Sequence, residues 1–574
     1  MSAANKTFKI GLAMAGAVSA GAYTAGVLDF LLEALDAWYQ AKARGERVPQ
    51  HDISLDVASG ASAGAMCSAL LVMLLPYRFP HVRIGADYAA AADRGDPAMN
   101  LLYRAWVSDI GIEPLLDTGD LQSGQLDALL NCGVIDDIVK ASLAYAAPLQ
   151  PRPYVTQPFV ARFTLGNLRG VPYAIGFLGD RASNEDAMTE HADYRGFLLG
   201  GEPQAGQQPD WLRAHLPLPA QSIADPPQWR MLGDAAVASG AFPLFLKPRL
   251  IQRPVADYNF RQYVQSSMES GKLHPIPPAW DDPPPQSYAF ASVDGGVFDN
   301  EPFELAHEIV AGGPGMDNAR QPELASAAVL MINPFMALPG NGVPPATVAD
   351  PVTGLPRLLL PPQAQIMPLV NALLVQSQFK PADLALAYDE TVYSRFIVAP
   401  SASSSPPAAL YWIASGALGG FLGFFHEDFR KHDYQLGRRN CQQFLQQHFS
   451  LPAANEIVAQ GYAGLLDDPA EIAKYRCADG QLPIIPLVGA VRAPETLLPW
   501  PAGRWNPASV MPAVDRRLDA VFTHYRKQIA AAAPWPARLA VSLGLKLGWS
   551  LIGRKKLHDT ILTALNQAKT QQQL

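Results

Sequence analysis

Over the first third of the chain, short continuous apolar runs alternate with runs of helical spacing, and that alternation predicts an α/β sheet. Phe8–Met14 reads as a buried strand. A glycine-punctuated turn leads from it into a helix over Ala22–Ala41, with an apolar stripe through Leu28, Leu31, Leu32 and Leu35. Ile53–Ala58 reads as a second strand that runs into a helix over Ser62–Leu75. From about Pro80 to Pro151 the spacing is helical without strong strands, as expected of an inserted cap. Tyr154–Leu165 and Val171–Phe177 read as a strand pair around the turn Gly166-Asn167-Leu168-Arg169-Gly170. A helix over Gln228–Ser239 should stop at Gly240, and Tyr288–Val293 and Ala325–Ile332 are short apolar strands.

Beyond Pro334 the pattern changes. Proline-rich connections over Leu338–Pro362 give way to mainly helical spacing, and Asp281–Pro285 and Ser401–Pro407 are the clearest loops. Val514, Leu518, Val521, Phe522, Tyr525 and Ile529 form one apolar helix face. Three regions follow: an α/β domain over 1–335 with the cap at about 80–151, a mainly helical region over 336–533, and a basic amphipathic tail over 534–574.

Lys6 and Lys9 precede the apolar run Ile10–Val27, a combination that imitates a secretory signal. The strand–turn–helix reading of the same residues competes with it and is preferred here, so the chain is expected in the cytoplasm, with peripheral contact to a membrane. No uninterrupted apolar run reaches the roughly 18–20 residues that a spanning helix needs. The longest candidate, Tyr411–Phe425, contains four glycines.

Composition narrows the classes further. With 574 residues, 49% of them hydrophobic, there is ample material for a large core. A net charge of −8 gives no support to a nucleic-acid partner. The four cysteines, Cys67, Cys132, Cys441 and Cys477, lie far apart and form no CxxC pair.

Gly60-Ala61-Ser62-Ala63-Gly64 follows a strand and precedes a helix, the context of a G-x-S-x-G nucleophile elbow. So tight a turn needs small residues around the serine, and the helix N-terminus behind it offers backbone N–H groups to a developing oxyanion. An ordinary small-residue turn would have the same composition. Asp294 ends a short strand and is followed by Gly295 and Gly296, where a carboxylate can project from the sheet edge. An Asp-Gly turn would look alike, and as a base the aspartate would have to be partly desolvated beside the serine. Gly16-Ala17-Val18-Ser19-Ala20-Gly21, after the first strand, exposes successive N–H groups suited to an oxyanion hole. Ala22-Tyr23 stand where a P-loop needs Lys-Ser/Thr, and Val18 breaks the dinucleotide fingerprint.

In this order, the three elements resemble the patatin-like phospholipases. Ala238-Ser239-Gly240-Ala241-Phe242-Pro243 and Asp294 through Pro302 match as well, and the resemblance covers roughly residues 7–335. Further segments are similar to a longer bacterial subgroup: Leu165 through Tyr173, His191-Ala192-Asp193-Tyr194, and Ser415 through Phe421 with Arg430 through Tyr434. The resemblance implies a three-layer α/β/α sheet and a Ser62–Asp294 dyad that cleaves carboxylic esters of lipids as a phospholipase A or lysophospholipase, with no metal or organic cofactor. It also implies an oxyanion hole at Gly16, Ala17 and Val18, and elbow glycines Gly60 and Gly64. The family's loop usually reads Gly-Gly-Gly-x-Arg/Lys-Gly, so two glycines and the cation are missing here.

Two other readings are open. An α/β-hydrolase triad could draw on His307, His426, His432, His448, His524 or His558. Alternatively, the departures in the glycine loop would fit a catalytically silent lipid-binding scaffold. The run His426–Asp433 is rich in metal-ligand types, but its histidines are six apart, so it is read as a solvated or salt-bridged helix. Finally, residues 534–574 carry six basic residues against Asp559, a net of +5, with leucines at 539, 543, 547 and 551 beside Trp549. Such a basic amphipathic segment suits contact with an anionic membrane, although a C-terminal helix packed on the core would show the same pattern.

Overall fold

In a computed structural model the described residues are 7–85, 88–175, 186–200, 209–219, 227–261, 263–264, 273–274, 277–335, 347–349, 356–358, 392–401, 409–532 and 538–574. The main sheet holds β1 (Thr7–Met14), β2 (Asp52–Gly60), β3 (Val155–Ile175), β4 (Asp186–Leu199), β5 (Leu216–Leu218), β6 (Arg249–Pro254), β7 (Ser287–Asp294), β8 (Ala327–Ile332) and β9 (Arg395–Val398). The longer helices are α1 (Gly21–Ala43), α2 (Ala63–Leu74), α3 (Gly133–Leu143), α4 (Pro227–Ser239), α5 (Phe303–Ala311), α6 (Glu427–Gln447), α7 (Met511–Ala532), α8 (Arg538–Gly548) and α9 (Arg554–Gln572).

Strand order is β9-β8-β1-β2-β3-β4-β5, with β7 pairing the far end of β3 and β6 pairing β7. The half from β9 to β3 is parallel, and the β3–β4, β3–β7 and β7–β6 pairs are antiparallel. This is a mixed, mostly parallel α/β sheet. Helices cover both faces: α1 and α2 pack with Ile10, Leu12 and Leu55 on one, while α5 sets Phe303, Ala306 and Val310 against Ala13, Val57 and Val329 on the other. Cover on both sides explains why β1 is buried along nearly its whole length instead of alternating.

Helix α1 resolves the ambiguity of the N-terminal apolar run. It belongs to the one helix among the described residues that is long and apolar enough to cross a membrane, Val18–Ala43, and 89% of the apolar window is buried inside the protein. Burial of this extent marks a core helix, whose acidic residues Asp29 and Asp36 are paired inside the protein with Arg438 and Arg152. Its outer side is covered by α6, and glycines permit the contact. A Cβ on Gly26 would fall 1.9 Å from the Tyr434 carbonyl oxygen, and one on Gly437 would fall 2.1 Å from that of Tyr23.

The structure departs from the sequence reading in four places. Residues 155–175 form one strand, not a hairpin, because the expected turn at 166–170 is absorbed as a register shift between Gly166 and Val171 against a continuous β4. Residues beyond 335 do not stand apart from the sheet, since β9 extends it beside β8. The run after His426 is mostly buried: Phe429, Arg430, His432 and Asp433 all face the interior, so α6 is a core helix rather than a solvated one, and the salt-bridged half of the reading holds in the Lys431–Glu427 and His432–Asp433 pairs. The tail is divided, with α9 packed through Leu565 and Ala568 while α8 has no buried residue. Phe177, residues 534–537, most of Ser401–Pro407 and most of the 338–362 connection lie outside the described residues, the last apart from the paired strands Thr347–Ala349 and Pro356–Leu358.

Candidate active site

The parallel strands β1 and β2 end side by side, and the site grows from both ends. Met14 pairs with Gly60, and the Ala61 N–H donates to the Met14 carbonyl at 3.1 Å, so the loop after β1 and the elbow after β2 are held together. At the elbow the chain reverses so tightly that a Cβ on Gly60 would lie 2.4 Å from the Gly64 carbonyl carbon. One on Gly64 would lie 2.2 Å from the Met14 oxygen. Ser62 pays for this reversal with a left-handed backbone, φ +51° and ψ −122°, a conformation that a non-glycine residue holds only when its surroundings enforce it. Ser239, at the end of α4, supplies part of that enforcement: its Oγ accepts the Ser62 N–H at 2.9 Å.

Asp294 arrives from the antiparallel side. It ends β7, opposite Leu165 of β3, with its own N–H donated to the Ala241 carbonyl at 2.9 Å. The Ser62 hydroxyl donates to Asp294 Oδ2 at 2.6 Å, and the Gly296 N–H donates to Oδ1 at 2.7 Å. Burial pushes the carboxyl up to about 6, against the opposing pull of these two hydrogen bonds. A carboxylate so placed keeps a proton affinity near neutrality, as a general base requires.

The loop after β1 supplies candidate oxyanion donors, though not all three expected. The Gly16 N–H is already donated to the Asn300 carbonyl at 3.1 Å, which removes it from the set. The Ala17 and Val18 N–H groups have no hydrogen-bond partner among the described residues. Val18 has φ +47°, an outlier for a β-branched residue. A clamp beside it holds the turn. The Ser19 N–H donates to the Gly420 carbonyl at 3.1 Å, the Ser19 hydroxyl bonds the same oxygen, and the Gly423 N–H donates to Ser19 Oγ at 3.0 Å. The glycine-rich segment 411–425 therefore acts as a brace over the loop.

Ser62, Asp294 and the loop open into a cavity of about 620 Å³. Its walls are apolar, with Met66, Leu70 and Met73 from α2, Trp106 and Ile138 from the cap region, and Phe421 from the brace. Asp294 is the one ionisable group among the described lining residues. That explains why burial dominates its proton affinity: no cation offsets the desolvation.

No histidine lines the cavity among the described residues. His307 is buried against Phe303 and Glu304, His426 caps α6, and His432 sits between Asp433 and Trp500. His524 bonds Gln528, His558 pairs with Asp515, and His448 follows the end of α6. Among the described residues no cluster of His, Cys, Asp and Glu is arranged to hold a metal ion. Ser19, Ser239 and Asn300 are the residues that sequence reasoning missed. Ser239 and Asn300 stand inside matched segments, but their partners are 177 and 284 residues away, a distance that no local pattern bridges.

No protein-family profile matches the chain. In sequence it is similar to the uncharacterized protein y4iI of Sinorhizobium fredii (strain NBRC 101917 / NGR234), with 35% identity over 604 aligned positions. The alignment covers 98% of this chain and 81% of that protein.

Proposed function

We propose that this chain, which belongs to the family of the Sinorhizobium fredii protein y4iI, is a serine acyl hydrolase that cleaves carboxylic esters of lipids. One observation carries the reading: a strained, buried serine hydroxyl in direct 2.6 Å contact with a carboxylate whose proton affinity burial has raised. Ser62 Oγ attacks the ester carbonyl carbon while its proton passes to Asp294 Oδ2. The oxygen of the tetrahedral intermediate takes its charge toward the Ala17 and Val18 N–H groups. Collapse releases the alcohol with the proton from Asp294, leaving an acyl-Ser62 ester. Asp294 then takes a proton from water, the hydroxide attacks the acyl carbon, and Ser62 leaves with that proton.

The apolar walls of the cavity favour a long acyl chain, and phospholipids or lysophospholipids are the substrate class the reading names. The architecture that goes with it is the patatin-like three-layer sheet; helices on both sheet faces and an elbow at a parallel strand's C-terminal end support it. The partner in the reading is an anionic membrane surface met through residues 534–574. In α8 and the π-helical residues Trp549–Gly553 that join it to α9, Leu539, Leu543, Leu547 and Leu551 are exposed, on a stretch that also carries Arg538 and Lys546 and runs into Arg554 and Lys555 of α9.

The test is fatty-acid release from mixed phospholipid vesicles by wild type, Ser62→Ala and Asp294→Asn. Wild-type release reduced roughly 10⁴-fold or more in both variants is the expected result. A wild-type chain that neither releases fatty acid nor reacts with a fluorophosphonate at Ser62 would overturn the reading and leave a lipid-binding scaffold.

A further inference from the structure

Five non-glycine residues among those described have left-handed backbone: Val18, Ser62, Leu244, Leu418 and Gln573. Gln573 merely ends α9. Three of the others, Val18, Ser62 and Leu418, line the cavity, and Leu244 lies between the lining residues Phe242 and Phe245. Val18 and Ser62 belong to the catalytic geometry, whereas the two leucines do not. Leucine gains nothing from a positive φ (+70° at Leu244, +57° at Leu418), and its Cβ makes that backbone unfavourable. Both side chains are also turned into solvent, Leu244 at 72% exposure and Leu418 at 39%.

Their place in the fold is specific. Leu418 lines the cavity and yet is exposed, so it stands at the opening. Leu244 directly precedes Phe245, a lining residue whose ring lies 6.5 Å from that of Phe421, centroid to centroid, so the two loops meet beside the cavity. Two loops from distant parts of the chain thus each hold one leucine outward, in a strained conformation, where the cavity meets water. Strain and exposure of apolar side chains both oppose folding.

We infer that Leu244 and Leu418 form the rim by which the cavity opening seats on a lipid surface. The inference rests on the acyl-hydrolase reading for the identity of the occupant. Continuity selects it, because the apolar rim runs directly into an apolar cavity and a lipid chain can pass between them without crossing water. A chain of contacts also ties the rim to the basic end of the molecule. The Leu244 carbonyl accepts from Leu129, the Leu129 carbonyl accepts from Arg517 of α7, and α7 carries the basic helices α8 and α9, which match an anionic surface.

The test uses flotation of the full chain with vesicles of equimolar phosphatidylcholine and phosphatidylglycerol. Leu244→Asn and Leu418→Asn are the informative variants, because asparagine accepts the left-handed backbone and removes the apolar contact without a folding penalty. Thermal melting of both variants should therefore match or exceed wild type. Roughly tenfold weaker vesicle partitioning is expected for each replacement, and L244N should turn over a water-soluble short-chain ester as wild type does. Wild-type partitioning by the double variant, or no flotation of the wild-type chain, would overturn the inference. Failure of the hydrolase reading is separately visible as no turnover of the soluble ester, whatever the flotation result.

Discussion

Two aspartates in this molecule are equally buried and behave in opposite ways. Asp29, on α1, lies inside a network with Arg438 of α6, which also bonds Glu33 and Glu495, and with His81 and Asn100 of the cap region. Burial would raise its carboxyl, but Arg438 and His81 outweigh burial and hold it far below the usual carboxylate range. Asp294 meets the same desolvation with only Ser62 and Gly296 to oppose it, and is pushed up to about 6. The first carboxylate is compensated, and its work is to hold α1, α6 and the cap region in register. The second is left without a cation, so its proton is available for chemistry. Burial alone distinguishes nothing; the missing counter-charge is what singles out Asp294 as the candidate base.

The strongest way to break this contrast is to remove the compensation. Arg438→Met would leave Asp29, Glu33 and Glu495 in the interior without their shared cation, and a stability loss of about 3–5 kcal/mol is expected, measured by urea denaturation at neutral pH. If the variant unfolds at the wild-type midpoint, the network is not compensating the buried carboxylates.

A smaller effect would sharpen the catalytic side. Ser19→Ala removes the hydroxyl that braces Val18 through Gly420 and Gly423. If the clamp positions the oxyanion donors, kcat should fall roughly 10²-fold with KM nearly unchanged, as for loss of one such donor. Affinity for a boronic acid that mimics the tetrahedral intermediate should fall in parallel. A raised KM with kcat intact would assign the clamp to substrate binding.

How much of this was legible in advance depended on how local each feature is. β1, β2, α1 and α2 were readable because continuous apolar runs and glycine turns specify them within a few residues. Ser62 was readable for the same reason, since the elbow is a five-residue device. The long strand β3 was misread as a hairpin because Gly166 and Gly170 look like a turn, whereas pairing with β4 outweighs that local preference. Strand β9 was missed because four residues, Arg395–Val398, have too little pattern to outweigh a helical neighbourhood. The start of helix α6 read as solvated or salt-bridged: Glu427 does pair with Lys431 at the surface, whereas Arg430 and, further along, Arg438 are absorbed by buried partners that only folding brings together. The role proposed for Asp294 is of this second kind. Its identity could be guessed from Asp-Gly-Gly, but its proton affinity is set by what is absent around it.

The smallest expected effect tests the sign of that last statement. In the unfolded chain Asp294 should titrate near the ordinary value of about 3.9, and in the folded chain it titrates near 6. Between these values the folded protein holds a proton that the unfolded chain has released. Stability therefore declines as pH rises from about 4 to 6, by at most on the order of 3 kcal/mol. Asp294→Asn removes the charge and gives up part of the hydrogen bonding to Ser62 and Gly296, so a net gain of about 1–2 kcal/mol is expected at pH 7. That gain should vanish near pH 4, where the wild-type carboxyl is protonated as well. Asp29 predicts the reverse: its depressed proton affinity stabilises the fold above about pH 4 and loses that effect as acid protonates it. Urea midpoints of wild type and D294N at pH 4 and pH 7 decide the matter. A variant no more stable than wild type at pH 7 would mean that Asp294 carries its charge without a penalty, and the contrast between the two aspartates would fail.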